Sequence, residues 1–166
     1  MRIGVDVGGT KIEAIAIGAN GELLVRERIK TPANNYSLAV EAIASLVEKI
    51  ETLAGMRCSV GFCIPGTISP TTQRIKNAYN SPFNGYPLDR DLEQRLNRPI
   101  KVANDANCFA LSEAMDGAAA GAGAAAGAAA AACTAGTSPR APPPASWSKS
   151  ATPISTSPVG SAAAAA

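Results

Sequence analysis

Gly8-Gly9-Thr10-Lys11 stands between two apolar runs, Ile3 to Val7 and Ile12 to Ile17, with Asp6 just ahead of it. Neither glycine carries a Cβ, so the chain can turn tightly there and its backbone can approach a ligand closely. Turn amides and the Lys11 ammonium would face an anion, Thr10 adds a hydroxyl, and Asp6 can hold Mg2+ through water. That make-up suits phosphate. It equally suits an ordinary hairpin with Lys11 solvated on an edge strand, and the turn alone leaves both readings open. The Gly-x-x-x-x-Gly-Lys-Ser/Thr loop is absent and no helix follows the glycines, so any phosphate site here is not of the Walker type.

Hydrophobic periodicity predicts the elements that must position this turn. Three strands come first, Ile3–Val7, Ile12–Ile17 and Leu23–Ile29, the last two joined by the hairpin signal Asn20-Gly21. The spacing predicts a helix over 37–53, with Leu38, Ala42, Ile43, Leu46, Val47, Ile50 and Leu53 on one face. Ser37 or Asn35 caps it and Gly55 ends it. Cys58–Ile64 is nearly all apolar, as expected of a strand covered on both sides, and Pro65-Gly66-Thr67 stops it. Residues 68–86 read as polar and rich in turns. Leu88, Leu92 and Leu96 mark a short helix, with Asp89 or Asp91 favourable in its first turn. A strand over Ile100–Ala103 follows, and Asn104 or Asp105 caps a last helix through Met115. The order β-β-β-α-β-α-β-α describes an α/β mixed sheet, the layout of one lobe of the actin-like, sugar-kinase and heat-shock ATPase fold. Such sheets bind ligands beyond their strand ends.

Composition divides the chain in two. It carries 15 basic and 13 acidic residues for a net charge of +2, which gives no field directed at nucleic acid or membrane. Every acidic residue lies at or before Asp116, and beyond it the only charges are Arg140 and Lys149. Residues 118–136 contain only Ala, Gly, Cys133 and Thr134, and a Pro/Ser-rich stretch follows. The expected division is a folded lobe over 1–117 and an Ala/Gly/Pro/Ser-rich tail over 118–166, too poor in apolar residues to offset its ordering entropy. No secretory pattern opens the sequence, which predicts a cytoplasmic protein with reduced, mostly buried thiols. Cys58, Cys63, Cys108 and Cys133 form no C-x-x-C pair, and without histidine no zinc site is expected.

Several segments together resemble the ROK family of bacterial sugar kinases and related repressors. They are Gly4-Val5-Asp6-Val7-Gly8-Gly9-Thr10-Lys11, Gly61-Phe62-Cys63-Ile64-Pro65-Gly66-Thr67-Ile68, Lys76-Asn77-Ala78 and Ala103-Asn104-Asp105-Ala106-Asn107. Ile68-Ser69-Pro70, Asn84-Gly85 before Pro87-Leu88-Asp89, and the run Asn107 to Ala114 look most like the fructokinase (manno-fructokinase) branch. The resemblance implies ATP-dependent phosphorylation of a hexose, fructose first, with glucose, mannose or an N-acetylhexosamine as alternatives. It assigns Asp105 as the base that takes the proton of the sugar hydroxyl, a role worth about 10^2–10^4-fold in rate. By the same resemblance Gly4, Asp6, Gly8, Gly9, Thr10 and Lys11 form a first phosphate loop for ATP and Mg2+. Gly66, Thr67, Asn80 and Asn104 join Asp105 at the sugar, amides being able both to donate and to accept. Each has a plainer alternative: Asp105 as a helix cap, Asn80 as a loop amide bonding its own backbone, Gly66 as ordinary turn chemistry.

The resemblance also implies parts that do not occur here: a second Gly-Thr-Gly phosphate loop, a Glu…Gly-His sugar segment and a Cys/His zinc site. The expectation is a truncated or frameshifted, inactive form, testable by translating the other reading frames of the gene across codons 115 to 166. A naturally short protein with a low-complexity tail is the alternative. The family is often homodimeric, but a lobe without its partner predicts a monomer or an aggregate. Repressor relatives carry a helix-turn-helix ahead of the first strand; the phosphate turn begins too early for one and no basic patch is present, so no DNA-binding role is expected.

Overall fold

The computed structural model describes residues 1–115 and 117; the tail expected over 118–166, Cys133 included, lies outside the described residues. Strands β1 (Arg2–Val7), β2 (Lys11–Ile17) and β3 (Leu23–Lys30) lead into helix α1 (Tyr36–Ala54) and strand β4 (Ser59–Ile64). A two-residue hairpin, β5 (Thr67–Ile68) and β6 (Ile75–Lys76), precedes α2 (Leu88–Leu96), β7 (Lys101–Asn104) and α3 (Asp105–Met115). The main sheet runs β3-β2-β1-β4-β7. Its first three strands are antiparallel, while β4 and β7 add parallel to β1, as crossovers through helices require.

Period-two alternation sorts the faces. Ile3, Val5 and Val7 of β1, Ile12, Ala14 and Ala16 of β2, and Val60, Phe62 and Ile64 of β4 all point into one core. Helix α1 covers that face across β2 and β3 and packs on α2. Asn35 caps α1, its side chain accepting from Leu38 N at 3.0 Å, and Gly55 ends it in the left-handed region at φ 72°. Tyr36 stacks on Tyr86, ring centroids 3.9 Å apart, and its hydroxyl donates to Asp91 in the first turn of α2.

Three expectations change. Leu38 and Leu53 are exposed rather than in the core: at 100° per residue Leu38 falls well off the stripe centred on Ile43 and Ile50, and Leu53 lies in the last turn before Gly55, past the last buried residue Ile50. Strand β4 is not fully covered on both sides: Gly61 and Cys63 are only half-buried, on the face where α3 lies. The stretch from residue 68 to 86 is more ordered than its polarity suggested, since β5 pairs with β6 and Ile75, Ala78 and Phe83 are buried. Helix α3 buries Ala114 alone among its described residues and leaves Phe109 and Met115 exposed. No helix among the described residues is long and apolar enough to cross a membrane.

The amino end of β4 is held by charge. Arg98 makes a two-pronged pair with Glu51 at 2.6 and 3.0 Å and donates to Cys58 O at 2.9 Å, while Cys58 N donates to Glu51 Oε1 at 2.6 Å. Burial pushes the Glu51 carboxyl up, but the bonds from Arg98 and Cys58 N and the nearby Arg57 outweigh it and hold it below its ordinary value. A carboxyl lowered on folding stabilises the fold above its unfolded pKa, and that stability is lost as pH falls through the folded value. Arg98→Met is therefore expected to lower stability at pH 7 by about 3 kcal/mol, the usual cost of orphaning a largely buried charge. Urea unfolding at pH 7 and pH 3 checks this: the gap between wild type and variant should shrink at pH 3.

Candidate active site

The parallel strands end together, and each end delivers a candidate residue. Strand β1 runs into Gly8-Gly9, β4 into Pro65-Gly66 and β7 into Asp105. Register places Asp6 beside Cys63, and Cys63 beside Ala103, so the three turns are neighbours roughly 4.8 Å apart per strand.

The glycine turn is closed by Gly8 N donating to Lys11 O at 2.9 Å. Thr31, at the end of β3 and buried, braces it: its hydroxyl donates to Gly8 O at 2.8 Å and its N–H to Thr10 O at 3.0 Å. Among the described residues no acceptor meets the N–H of Gly9 or Thr10, which leaves two amides for an anion. Thr10 and Lys11 are exposed beside them.

Residues 76–81 lie against two of the turns at once. A Cβ on Gly9 would stand 2.2 Å from Asn80 O, and one on Gly66 would stand 2.3 Å from Lys76 O and 2.8 Å from Ala78 N. Asn77 and Asn80 adopt left-handed backbone, φ 61° and 53°, which Asn tolerates better than most side chains. Asn104 links the second turn to the third: its Nδ2 donates to Gly66 O at 2.6 Å while its Oδ1 accepts from Ala106 N at 3.0 Å. Asp105 opens α3, exposed, with one carboxylate oxygen accepting the same Ala106 N–H at 2.8 Å.

Asp6 completes the arc. Desolvation by its surroundings, then the negative charges of Asp105 and Glu13, raise its pKa against the opposing pull of Lys11. The Asp6 carboxylate is the member of the arc able to hold a hard cation. Among the described residues no group of three or more His, Cys, Asp or Glu could hold a metal alone. Mg2+ suits such a sparse set, because it keeps several waters and shares carboxylates with phosphate.

Gly8, Gly9, Asn80, Gly66, Asn104, Asp105 and Asp6 thus stand in one continuous arc. Gly4 does not join it: it sits within β1 between Ile15 and Gly61. Thr67 pairs with Lys76 in the hairpin, its side chain exposed at the arc's edge. Asn104 acts as a strut between a turn and a helix start, a use beyond the cap and the sugar contact expected of it. Beside Gly9 opens a cleft of about 400 Å3 walled by Asn34, Tyr79, Asn80, Ser81 and Asn84. Among these wall residues the sequence assigned a site role to Asn80 alone; the asparagines on either side, Asn77 and Asn84, were the available signal. A second cleft, of about 520 Å3, lies at the opposite end of β4 between Glu51, Met56, Arg57 and Arg98, and holds none of the candidate residues.

Comparison with known proteins points the same way. The ROK family model matches residues 2–126. N-acetyl-D-glucosamine kinases from Vibrio cholerae and Vibrio parahaemolyticus are 45% and 42% identical over 116 residues, covering 70% of this chain and 38% of each relative. A ROK hexokinase from Thermus thermophilus superimposes with a TM-score of 0.61 at 34% identity, over 68% of this chain and 37% of that one. A ROK family glucokinase from Streptomyces griseus, in complex with glucose and AMPPNP, gives 0.63 at 33%, over 72% and 38%. The chain therefore spans well under half the length of these four relatives.

Proposed function

We propose that this chain, which belongs to the ROK family and has the fold of its amino-terminal sugar-kinase lobe, supplies the base, the sugar turn and the first phosphate turn of an ATP-dependent hexose kinase. The observation that carries this reading is the arc that joins the Gly8-Gly9 turn, through Asn80, Gly66 and Asn104, to the exposed carboxylate of Asp105.

A sugar hydroxyl placed against Gly66 and Asn104 lies within reach of Asp105, which takes its proton as the oxygen attacks phosphorus. ATP would supply the phosphoryl group, and Mg2+, when bound, would offset the charge that develops on it. The Gly9 and Thr10 amides and the Lys11 ammonium would hold phosphate oxygens, and Asp6 would hold the cation. Most of the rate of such a transfer comes from positioning, so a second lobe that closes over this one is required. The 166-residue chain by itself is accordingly proposed to be inactive.

The relatives favour N-acetyl-D-glucosamine as the sugar over the fructose expected from the branch resemblance. The test is a chimera in which residues 1–117 replace the matching lobe of the Vibrio cholerae kinase. It should phosphorylate a hexose with MgATP, whereas the donor's remaining lobe alone should not. Relative to the intact donor, its preference for N-acetyl-D-glucosamine over fructose should stay within a few-fold. A marked shift toward fructose restores the fructokinase reading, and a folded chimera without turnover contradicts the kinase reading altogether.

A further inference from the structure

We propose that Cys63 and Cys108 form a disulfide on exposure to hydrogen peroxide, a covalent lock between β4 and α3 beside Asp105. The two residues come from different elements that touch each other, and Cys108 lies with Leu111 and Ala114 on the less exposed side of α3, its side chain within interacting reach of Cys63. Strand β4 turns Phe62 and Ile64 into the core, so Cys63 faces the other side, where α3 lies. Both thiols are reduced and half-buried, open enough for a small oxidant. Cys108 follows Asp105 by three residues, which places both on one side of the first turns of α3. A bond at Cys108 would therefore pin the segment that carries the proposed base. Cys58 serves as an internal control: it is buried just ahead of β4 and donates to Met56 O.

Cys108 lies near the exposed Ala106 and Phe109 at the start of α3, whereas Cys63 lies within the sheet, so peroxide meets Cys108 first. The Cys108 sulfur attacks one peroxide oxygen, the O–O bond breaks, and the Cys108 proton leaves with the departing hydroxide as water. The sulfenic acid so formed is attacked by the Cys63 sulfur. The S–S bond forms, and the sulfenic oxygen leaves with the Cys63 proton as a second water. Two electrons pass from the sulfurs to one peroxide.

The chain is treated with hydrogen peroxide, the remaining thiols are alkylated, and the products are mapped by mass spectrometry. The expected result is a linked peptide pair containing Cys63 and Cys108, lighter by two hydrogens and reversed by dithiothreitol, with Cys58 still alkylated. Oxidised chain should also melt several degrees higher than reduced chain. In Cys63→Ser, dimedone should trap a sulfenic acid at Cys108. Sulfinic or sulfonic acid at either position, pairing of either with Cys58, or two fully alkylated thiols after peroxide would each overturn the proposal. The mapping on unmodified sequence needs neither a variant that folds nor kinase activity, so its failure is separate from failure of the kinase reading.

Discussion

Replacing Asp105 by asparagine is expected to abolish hexose phosphorylation by the chimera while leaving its sugar site formed. Asparagine keeps the size of the side chain and an oxygen able to accept the Ala106 N–H that Asp105 now accepts at 2.8 Å, so the start of α3 is preserved. What it loses is the ability to take a proton. A positioned general base contributes about 10^2–10^4-fold, so kcat should fall by that factor while KM for the sugar moves only a few-fold. Initial rates over a range of sugar concentrations separate the two constants. An unchanged kcat would leave Asp105 as a helix cap and nothing more.

Gly66→Ala is expected to produce the largest loss of stability of any single-methyl change in the arc. At φ 76° the residue occupies left-handed backbone, which costs a side-chain-bearing residue about 1–2 kcal/mol. The new Cβ would also stand 2.3 Å from Lys76 O and 2.8 Å from Ala78 N, backbone atoms of a braced segment that cannot simply rotate away. Overpacking of that kind adds about 1–3 kcal/mol. Gly85→Ala isolates the first contribution, because Gly85 has φ 83° but nothing within 4 Å of a built Cβ. Denaturant unfolding should therefore show Gly85→Ala losing about 1 kcal/mol and Gly66→Ala losing about 2–5 kcal/mol. Equal losses would mean that residues 76–78 do not press on the sugar turn. Separation of the two turns by this substitution should also weaken sugar binding, since Asn104 reaches Gly66 O directly.

The sheet was legible because alternation and periodicity are local signals. Ile3, Val5 and Val7 alternate with Gly4 and Asp6, and the leucines of α2 recur every four residues, so the succession of strands and helices along the chain followed. Burial of particular side chains was less legible. Leu38 and Leu53 were placed on the buried face of α1 by spacing, but the angle of Leu38 about the helix axis excludes it and Leu53 lies in the last turn, past the buried Ile50. The short hairpin over Thr67–Ile68 and Ile75–Lys76 was missed because two-residue strands have no period to detect.

At the site, the types and order of residues were readable and their mutual contacts were not. Asp105, the glycine turn and Gly66 stand out by chemistry. No sequence rule states that Asn80 lies on Gly9, that Asn104 donates to Gly66 O, or that Gly4 remains inside the sheet. Those facts depend on how residues 76–81 return across the strand ends, which tertiary packing decides. The same holds for Cys63 and Cys108, whose pairing needs both the face of β4 and the placement of α3.

The central claim is that the ends of β1, β4 and β7 form one sugar-holding cleft, and amide chemical-shift mapping on the 15N-labelled chain tests it most directly. Titration with N-acetyl-D-glucosamine should move the amides of Gly66, Asn104, Asp105 and Ala106 together, saturating in the millimolar range expected of a lobe that cannot close. MgATP added afterwards should move Gly9, Thr10 and Lys11. Shifts confined to the Arg57 and Arg98 cleft at the far end of β4, or no shift with any hexose, would contradict the account.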